Sequence, residues 1–290
     1  MKLLRATAAQ QLARDDASYP AWGTGLTLAS FKERERRLRS HSWAKRTMSS
    51  WFWVDDGNQF LSSCETFIDA ARIGARRGLA ATIASVFTEE HHRGRGHAEA
   101  MLRALTDELA KTCLAATLFS EIGTRLYGRL GFCAVPAYDT WFEPLAEAPS
   151  VDWLKAPLPD VHRATPSEDT LQLELSSERL DWQLVREDVY GTRLDVHGAR
   201  DGDACITWTA YWKTKELQVM SLDAPSPKLV AAARHVAHRA GLPKVRIWET
   251  MDLSTISGAR REARTDEIAM FLPLVPGVQA WTQVERGLWA

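Results

Sequence analysis

Cysteine is scarce in this chain: four among 290 residues (Cys64, Cys113, Cys133 and Cys205), widely spaced and with no C-x-x-C pair. That excludes zinc-ligand spacing and, at this length, argues against a disulfide framework. No run of about 18 apolar residues occurs, so a membrane-spanning helix is not expected. The opening Met1-Lys2-Leu3-Leu4-Arg5-Ala6-Thr7 is too short in its apolar part for a secretory signal. Neither sign of charge dominates, since 36 Lys+Arg stand against 37 Asp+Glu. Without a broad field, neither nucleic acid nor an anionic membrane is an expected partner. A small molecule met in a reducing cytoplasm, by a monomer or homodimer, is the expectation.

What is present is an ordinary globular composition, 45% apolar and 25% charged, with twelve tryptophans that point to an aromatic interior. The length suits one large or two modest domains. Ser30-Phe31-Lys32-Glu33 reads as a capping box opening a charged helix through Ser40. Trp51–Val54, the turn Asp55-Asp56-Gly57-Asn58 and Gln59–Phe67 read as a hairpin. Leu79–Phe87 is a central-strand run. Ala98, Met101, Leu102, Leu105 and Leu109 form one helical face, and Ala115–Phe119 returns as a strand. A helix carrying Ile122, Leu126 and Leu130 then stops at Gly131. Arg72, Arg76 and Arg77 read as a solvent-facing basic turn between strands.

Prolines 144, 149, 157, 159 and 166 resist regular structure and set an expected linker at 146–170 between domains at 1–145 and 171–290. In the later segment Ile206–Trp212, Glu216–Leu222, a helix capped by Ser226-Pro227, and Lys244–Trp248 repeat the strand, strand, helix, strand order. This hints at duplication, with no glycine loop in the second copy. The fold class expected is α/β with mixed sheets.

The chemistry concentrates after the central strand. His91-His92-Arg93-Gly94-Arg95-Gly96-His97-Ala98 joins a buried strand to an amphipathic helix. Gly94 and Gly96 would let backbone N–H groups approach a ligand, and the helix N-terminus favours an anion. A P-loop would need Lys-Ser/Thr after its glycines, and a dinucleotide fingerprint a third glycine where Glu99 stands. Two glycines alone fit a plain strand–helix turn equally well. Glu89-Glu90-His91-His92 reads as a solvated loop, with no metal expected.

Tyr127-Gly128-Arg129-Leu130-Gly131-Phe132 changes the balance. Together, His91-x-x-Gly94-x-Gly96 and Tyr127-x-x-x-Gly131-Phe132 resemble the paired motifs of the GNAT acetyltransferase superfamily, Gln/Arg-x-x-Gly-x-Gly/Ala and Tyr-x-x-x-Gly-Phe. Leu61–Thr66, Ser85–Thr88, Leu118–Gly123 and the C-terminal Trp281 and Val284-Glu285-Arg286 are similar to the fungal lysine N-acetyltransferase branch. The resemblance runs from about Trp22, is strong over 59–132 and is loose beyond 150. One departure is His91, where the family has Gln or Arg.

The resemblance implies a GNAT catalytic domain binding acetyl-CoA at 1–145 and a GNAT-like domain without a cofactor loop at 171–290. It implies acetyl transfer to a primary amine, foremost the side-chain amine of free lysine. An amine intermediate of specialised metabolism, or a non-catalytic CoA-binding scaffold, stays as an alternative. The cofactor set would be Val86, Phe87, His91, His92, Arg93, Gly94, Arg95, Gly96, His97 and Ala98. Backbone N–H groups at Val86 and Phe87 would face the reacting oxygen. Tyr127 would protonate the leaving thiolate. Glu121, then Glu65, is the candidate base for the attacking ammonium, whose reference pKa is about 10.4; a water chain is the alternative.

Overall fold

The computed structural model describes residues 1–191 and 194–290, and local chemistry sets where its elements begin. After strand β1 (Lys2–Arg5), Thr7 and Gln10 form a reciprocal capping box that starts helix α1 (Ala8–Trp22). Thr27 caps helix α2 (Leu28–Ser40), its hydroxyl accepting the Ser30 N–H at 3.1 Å, and His41 caps α3 (Ser42–Thr47). The charged helix expected from Ser30 therefore starts earlier, because Thr27 takes the cap.

Strands β2 (Met48–Val54), β3 (Phe60–Ile73) and β4 (Arg76–Thr88) form two successive hairpins. The second turns at Gly74, whose φ of +53° suits glycine. Arg72 and Arg77 pair across these strands, so the basic loop expected there is largely strand. Helix α4 (His97–Leu109) buries Met101, Leu102, Leu105 and Leu109, and β5 (Ala115–Ser120) follows. The next helix is a single turn, α5 (Arg125–Gly128). It excludes Ile122, which is exposed, because left-handed Gly123 (φ +77°) interrupts the chain before it.

The remainder comprises β6 (Cys133–Ala134), β7 (Tyr138–Phe142), β8 (Asp152–Leu154), β9 (Thr170–Leu173), α6 (Ser177–Glu187), β10 (Gly198–Asp201) and β11 (Ala204–Tyr211). Then come β12 (Glu216–Leu222), α7 (Pro227–Arg239), β13 (Val245–Glu249), β14 (Arg260–Ala263), β15 (Ile268–Pro273) and β16 (Ala280–Trp281). The strands form two mixed sheets, so the fold is α/β. The first runs β1-β2-β3-β4-β5-β15-β6, with β9 beside β3 and β16 beside β9; the second runs β14-β7-β13-β12-β11-β10-β8.

Duplication is visible in the pairing. In each sheet an antiparallel hairpin feeds a helical crossover to a parallel strand: β3/β4–α4–β5 and β11/β12–α7–β13. The next strand in each sheet comes from the other half of the chain. β15 lies between β5 and β6, and β7 lies between β13 and β14. The division between the sheets thus does not follow the expected 146–170 linker: β7 precedes that stretch, β9, β15 and β16 follow it, and β8 lies within it. One apolar cluster joins the halves, packing Ala80, Ala115 and Leu173 with Leu180, Met220, Phe271 and Trp281. No helix among the described residues is long and apolar enough to cross a membrane.

An isolated fragment 1–145 lacks β9, β15 and β16 and leaves β5 as an open edge. It should aggregate or show a non-cooperative thermal transition; a sharp two-state transition by circular dichroism would contradict the exchanged-strand account.

Candidate active site

β4 and β5 stay in parallel register only from Ala80/Ala115 to Thr82/Thr117. β4 nevertheless continues to Thr88, and β5 turns to β15, which pairs with it through Ser120. The two strands part, and a wedge opens between their C-terminal ends. A bulge sits on β4 at the same level: the register passes from Ser63↔Phe87 to Glu65↔Ala84, setting Ser85 and Val86 opposite Cys64 alone. Ser85 has φ +52°, outside the strand region. Arg14 of α1 clamps this bulge, donating to the Ser85 carbonyl at 2.8 Å, to the Ser63 hydroxyl at 2.9 Å and to the Glu65 carboxylate at 2.8 Å. Both members of the Arg14–Glu65 pair are buried. Removing one would strand the other, which is the costly way to break such a pair.

The wedge opens into a cavity of about 670 Å³. Val86, Phe87, Arg93, Ala98, Glu65, Glu121 and Tyr127 all line it, so most of the residues singled out in the sequence converge on one space. Tyr127 is 6% exposed, and burial, with Cys64 and Glu121 nearby, pushes its phenol well above the usual range. The hydroxyl is thereby held protonated. Glu121 is exposed at the cavity edge, whereas the Glu65 carboxylate is engaged by Arg14.

The glycine loop lies beside the wedge. Gly94 and Gly96 have φ of +74° and +79°, and a Cβ at either would meet nothing within 4 Å. Gly96 is the N-cap of α4 and offers no side-chain cap, so the first N–H groups of a 13-residue helix remain open. An anion fits there. Arg93 folds back, donating from Nε to the Thr88 carbonyl at 3.0 Å. Arg95 is exposed, and His97 is half-buried at the first turn of α4. His91 is exposed and lies 3.5 Å from Glu89. His92 departs from the solvated-loop expectation: it is 7% exposed, packed on the His91 ring at 3.9 Å, with neither ring nitrogen hydrogen-bonded among the described residues. Burial, helped by His91 and Arg95, lowers its pKa and favours the neutral ring.

The corresponding split in the second sheet is built differently. β12 and β13 part beyond Val219/Ile247, and a smaller cavity of about 360 Å³ there is lined by Asp223, Glu249 and Glu285 among others. Ser226 caps α7 with its own side chain, and Pro227 has no N–H to offer. No glycine stands between Leu222 and Pro227. Glu285 and Glu249 there are already paired with Arg163 and Arg261, and a helix end satisfied by its own cap offers a phosphate fewer free N–H groups than Gly96 does.

Sequence reasoning missed the far side of the main cavity: Arg14 and Trp22 of α1, Arg34 of α2, Trp182, Arg186 and Glu187 of α6, and Tyr211 of β11. α1 was legible in Thr7-Ala8-Ala9-Gln10, and α6 in the Ser176 cap with Leu180 and Leu184. Nothing local shows that these helices face the wedge. Glu187 is 6% exposed, and burial raises its carboxyl from an ordinary 4.5 to about 7. Arg286, Arg186 and Arg34 and the Trp212 backbone N–H oppose that rise, with Tyr190 and Tyr211 also close by.

Residues 12–132 match the profile of the Acetyltransferase (GNAT) family. A lysine acetyltransferase of Yarrowia lipolytica is 26% identical over a stretch covering 43% of this chain and 38% of that protein, so the match spans well under half of the relative's length. Among solved structures, a conserved protein of Enterococcus faecalis V583 described as a probable N-acyltransferase superposes with TM-score 0.64 at 13% identity, over 94% of this chain and 72% of that one. A GCN5-related N-acetyltransferase from Kribbella flavida gives 0.59 at 17% identity, over 93% and 70%. Residues 12–132 are therefore similar to the GNAT acetyltransferase family, and the overall fold recurs in these solved structures along nearly the whole chain.

Gly96→Val puts a β-branched residue in a left-handed conformation, a strain of order 1–3 kcal/mol, and sets a side chain where a ligand would lie. CoA affinity by calorimetry should fall at least about tenfold, or about 1.4 kcal/mol; unchanged affinity would remove the loop from the binding site. Glu187 supplies a pH test. Its folded pKa is raised, so between 4.5 and about 7 the unfolded chain ionises first and stability falls as pH rises. Glu187→Gln removes this cost and should raise Tm at about pH 8 but have little effect at about pH 5. An equal difference at both pH values would contradict the buried-carboxyl description.

Proposed function

We propose that this protein is an acetyl-CoA-dependent N-acetyltransferase acting on a primary amine, foremost the side-chain amine of a lysine-like small molecule. The observation that carries the reading is the parting of β4 and β5 beside an uncapped helix N-terminus, with a protonated tyrosine lining the same cavity. The lysine part rests on the Yarrowia relative's description and on the sequence resemblance.

Acetyl-CoA, when bound, supplies an activated thioester acetyl group. The N–H groups of Gly94 to Ala98 would hold its pyrophosphate, with Arg95 adding charge at the rim. Beyond Thr82, β4 has no β5 partner, so the backbone N–H groups of Val86 in the bulge and of Phe87 just after it are the candidates to donate to the reacting carbonyl oxygen. Tyr127 donates its proton to the departing sulfur, a task suited to a phenol that stays neutral at rest. Glu121, open to water at the cavity edge, takes the ammonium proton directly or through water. Glu65 holds Arg14, and through it the bulge.

Tyr127→Phe should lower kcat by roughly 10²-fold or more while CoA affinity stays within a few-fold. Unchanged kcat would remove the general-acid role. Incubation with acetyl-CoA and a panel of lysine, polyamines and aminoglycosides, read by mass spectrometry, should give a singly acetylated lysine-type amine. No acetylated product from any amine, with CoA bound, would overturn the reading.

A further inference from the structure

The cavity wall carries two chemically different kinds of charged residue. Around its walls several charges are closed into pairs: Arg14 with Glu65 at 2.8 Å, Arg34 with Glu35 at 2.9 Å and Arg39 with Asp15 at 2.9 Å. These pairs neutralise themselves; Arg14–Glu65 ties α1 to β3, Arg39–Asp15 ties α2 to α1, and Arg34–Glu35 closes within α2. Two neighbouring residues at the end of α6 are different. Arg186 is sandwiched between the Trp182 and Trp289 rings at 4.5 and 4.3 Å, and its Nε has no hydrogen-bond partner among the described residues. Glu187 is buried, with Oε2 also unpartnered among the described residues. Both line the cavity that Tyr127 lines. Buried charged atoms without partners are expensive, and such atoms mark places where something else supplies the bond.

From this juxtaposition we infer that Arg186 and Glu187 form a receptor for the zwitterionic head of an α-amino acid, the guanidinium taking its carboxylate and the Glu187 carboxylate its α-ammonium. The inference rests on the acetyltransferase reading and narrows its acceptor to a free amino acid whose side chain ends in an amine. Phe31, Leu38, Phe67 and Phe87 line the same cavity and offer apolar surface to the methylene stem. Arg186 is suited to the carboxylate because its planar fork is fixed by the two indoles, so little freedom is lost on binding. The raised carboxyl of Glu187 is what an ammonium would correct, since an adjacent positive charge restores the ionised form. A polyamine would leave Arg186 unanswered, and a protein-bound lysine has neither a free α-amine nor a free carboxylate.

Three ligands separate the contributions: L-lysine, cadaverine (which lacks the carboxylate) and 6-aminohexanoate (which lacks the α-amine). Calorimetry on the full chain with CoA present should show lysine binding at least tenfold tighter than either truncated ligand. Arg186→Gln should weaken lysine and 6-aminohexanoate at least tenfold and leave cadaverine unchanged. Glu187→Gln should weaken lysine and cadaverine and leave 6-aminohexanoate unchanged. Equal affinity of the wild-type protein for all three, absence of lysine binding, or uniform losses in both variants would overturn the inference, and the wild-type comparison stands even if a variant fails to fold. Acetyl transfer measured in parallel separates the two levels. Turnover of cadaverine with the same KM as lysine removes the head-group receptor and keeps the enzyme. CoA binding without acetylation of any of the three, with lysine bound, removes the enzyme and keeps the receptor.

Discussion

The structure depends on one break in pairing. β4 and β5 are hydrogen-bonded neighbours as far as Thr82 and Thr117 and then separate. A sheet that stayed paired would leave no donors and no space at this point; the split supplies both. The backbone of Ala84 to Phe87 is freed on one side, and a pocket opens between the strand ends. The break is maintained from both sides. β15 draws β5 away by pairing with it through Ser120, while the bulge at Ser85 and Val86 turns β4 outward under the grip of Arg14. The buried Arg14–Glu65 pair is best seen as a positioning device, whose removal would release the bulge before it altered any proton transfer.

Exchange of strands ties the wedge to the rest of the chain. β15, which stabilises the first wedge, lies over 140 residues after β5 in sequence, and β7 performs the matching task in the second sheet. Neither half can complete its sheet alone. The same exchange brings α6 and the C-terminal segment against the mouth of the first wedge, which is how Trp182, Arg186, Glu187 and Trp289 come to share a cavity with Tyr127. The second wedge shows what the first needs in order to hold an anion. Its helix end is satisfied by Ser226 and Pro227, whereas the first has the bare N-terminus at Gly96.

Much of this was legible in the residues, and the limits have physical causes. The β3–β4–α4–β5 unit shows itself because its strands are buried runs and α4 has a clean apolar face; the duplicated β11–β12–α7–β13 unit shows itself for the same reason. The loop and Tyr127 stood out only together, because two glycines alone fit a plain turn and Tyr127-x-x-x-Gly131-Phe132 adds a second, independent spacing. The helix expected through Ile122 failed because apolar spacing says nothing of Gly123, whose left-handed backbone interrupts it. The exchange of β7 and β15 is a long-range pairing with no local signature. The role of Glu65 was likewise hidden, since its partner Arg14 lies 51 residues away on a helix whose cap was present but unread.

On this reading the first wedge, with its uncapped helix, is the CoA site and the second is not. Hydrogen–deuterium exchange with and without CoA tests this most directly, because free backbone N–H groups exchange and ligand-bound ones do not. The account predicts CoA-dependent protection over residues 84–98 and none over 219–230 or 245–256. Protection confined to the second wedge, or absent from 93–98, would contradict it.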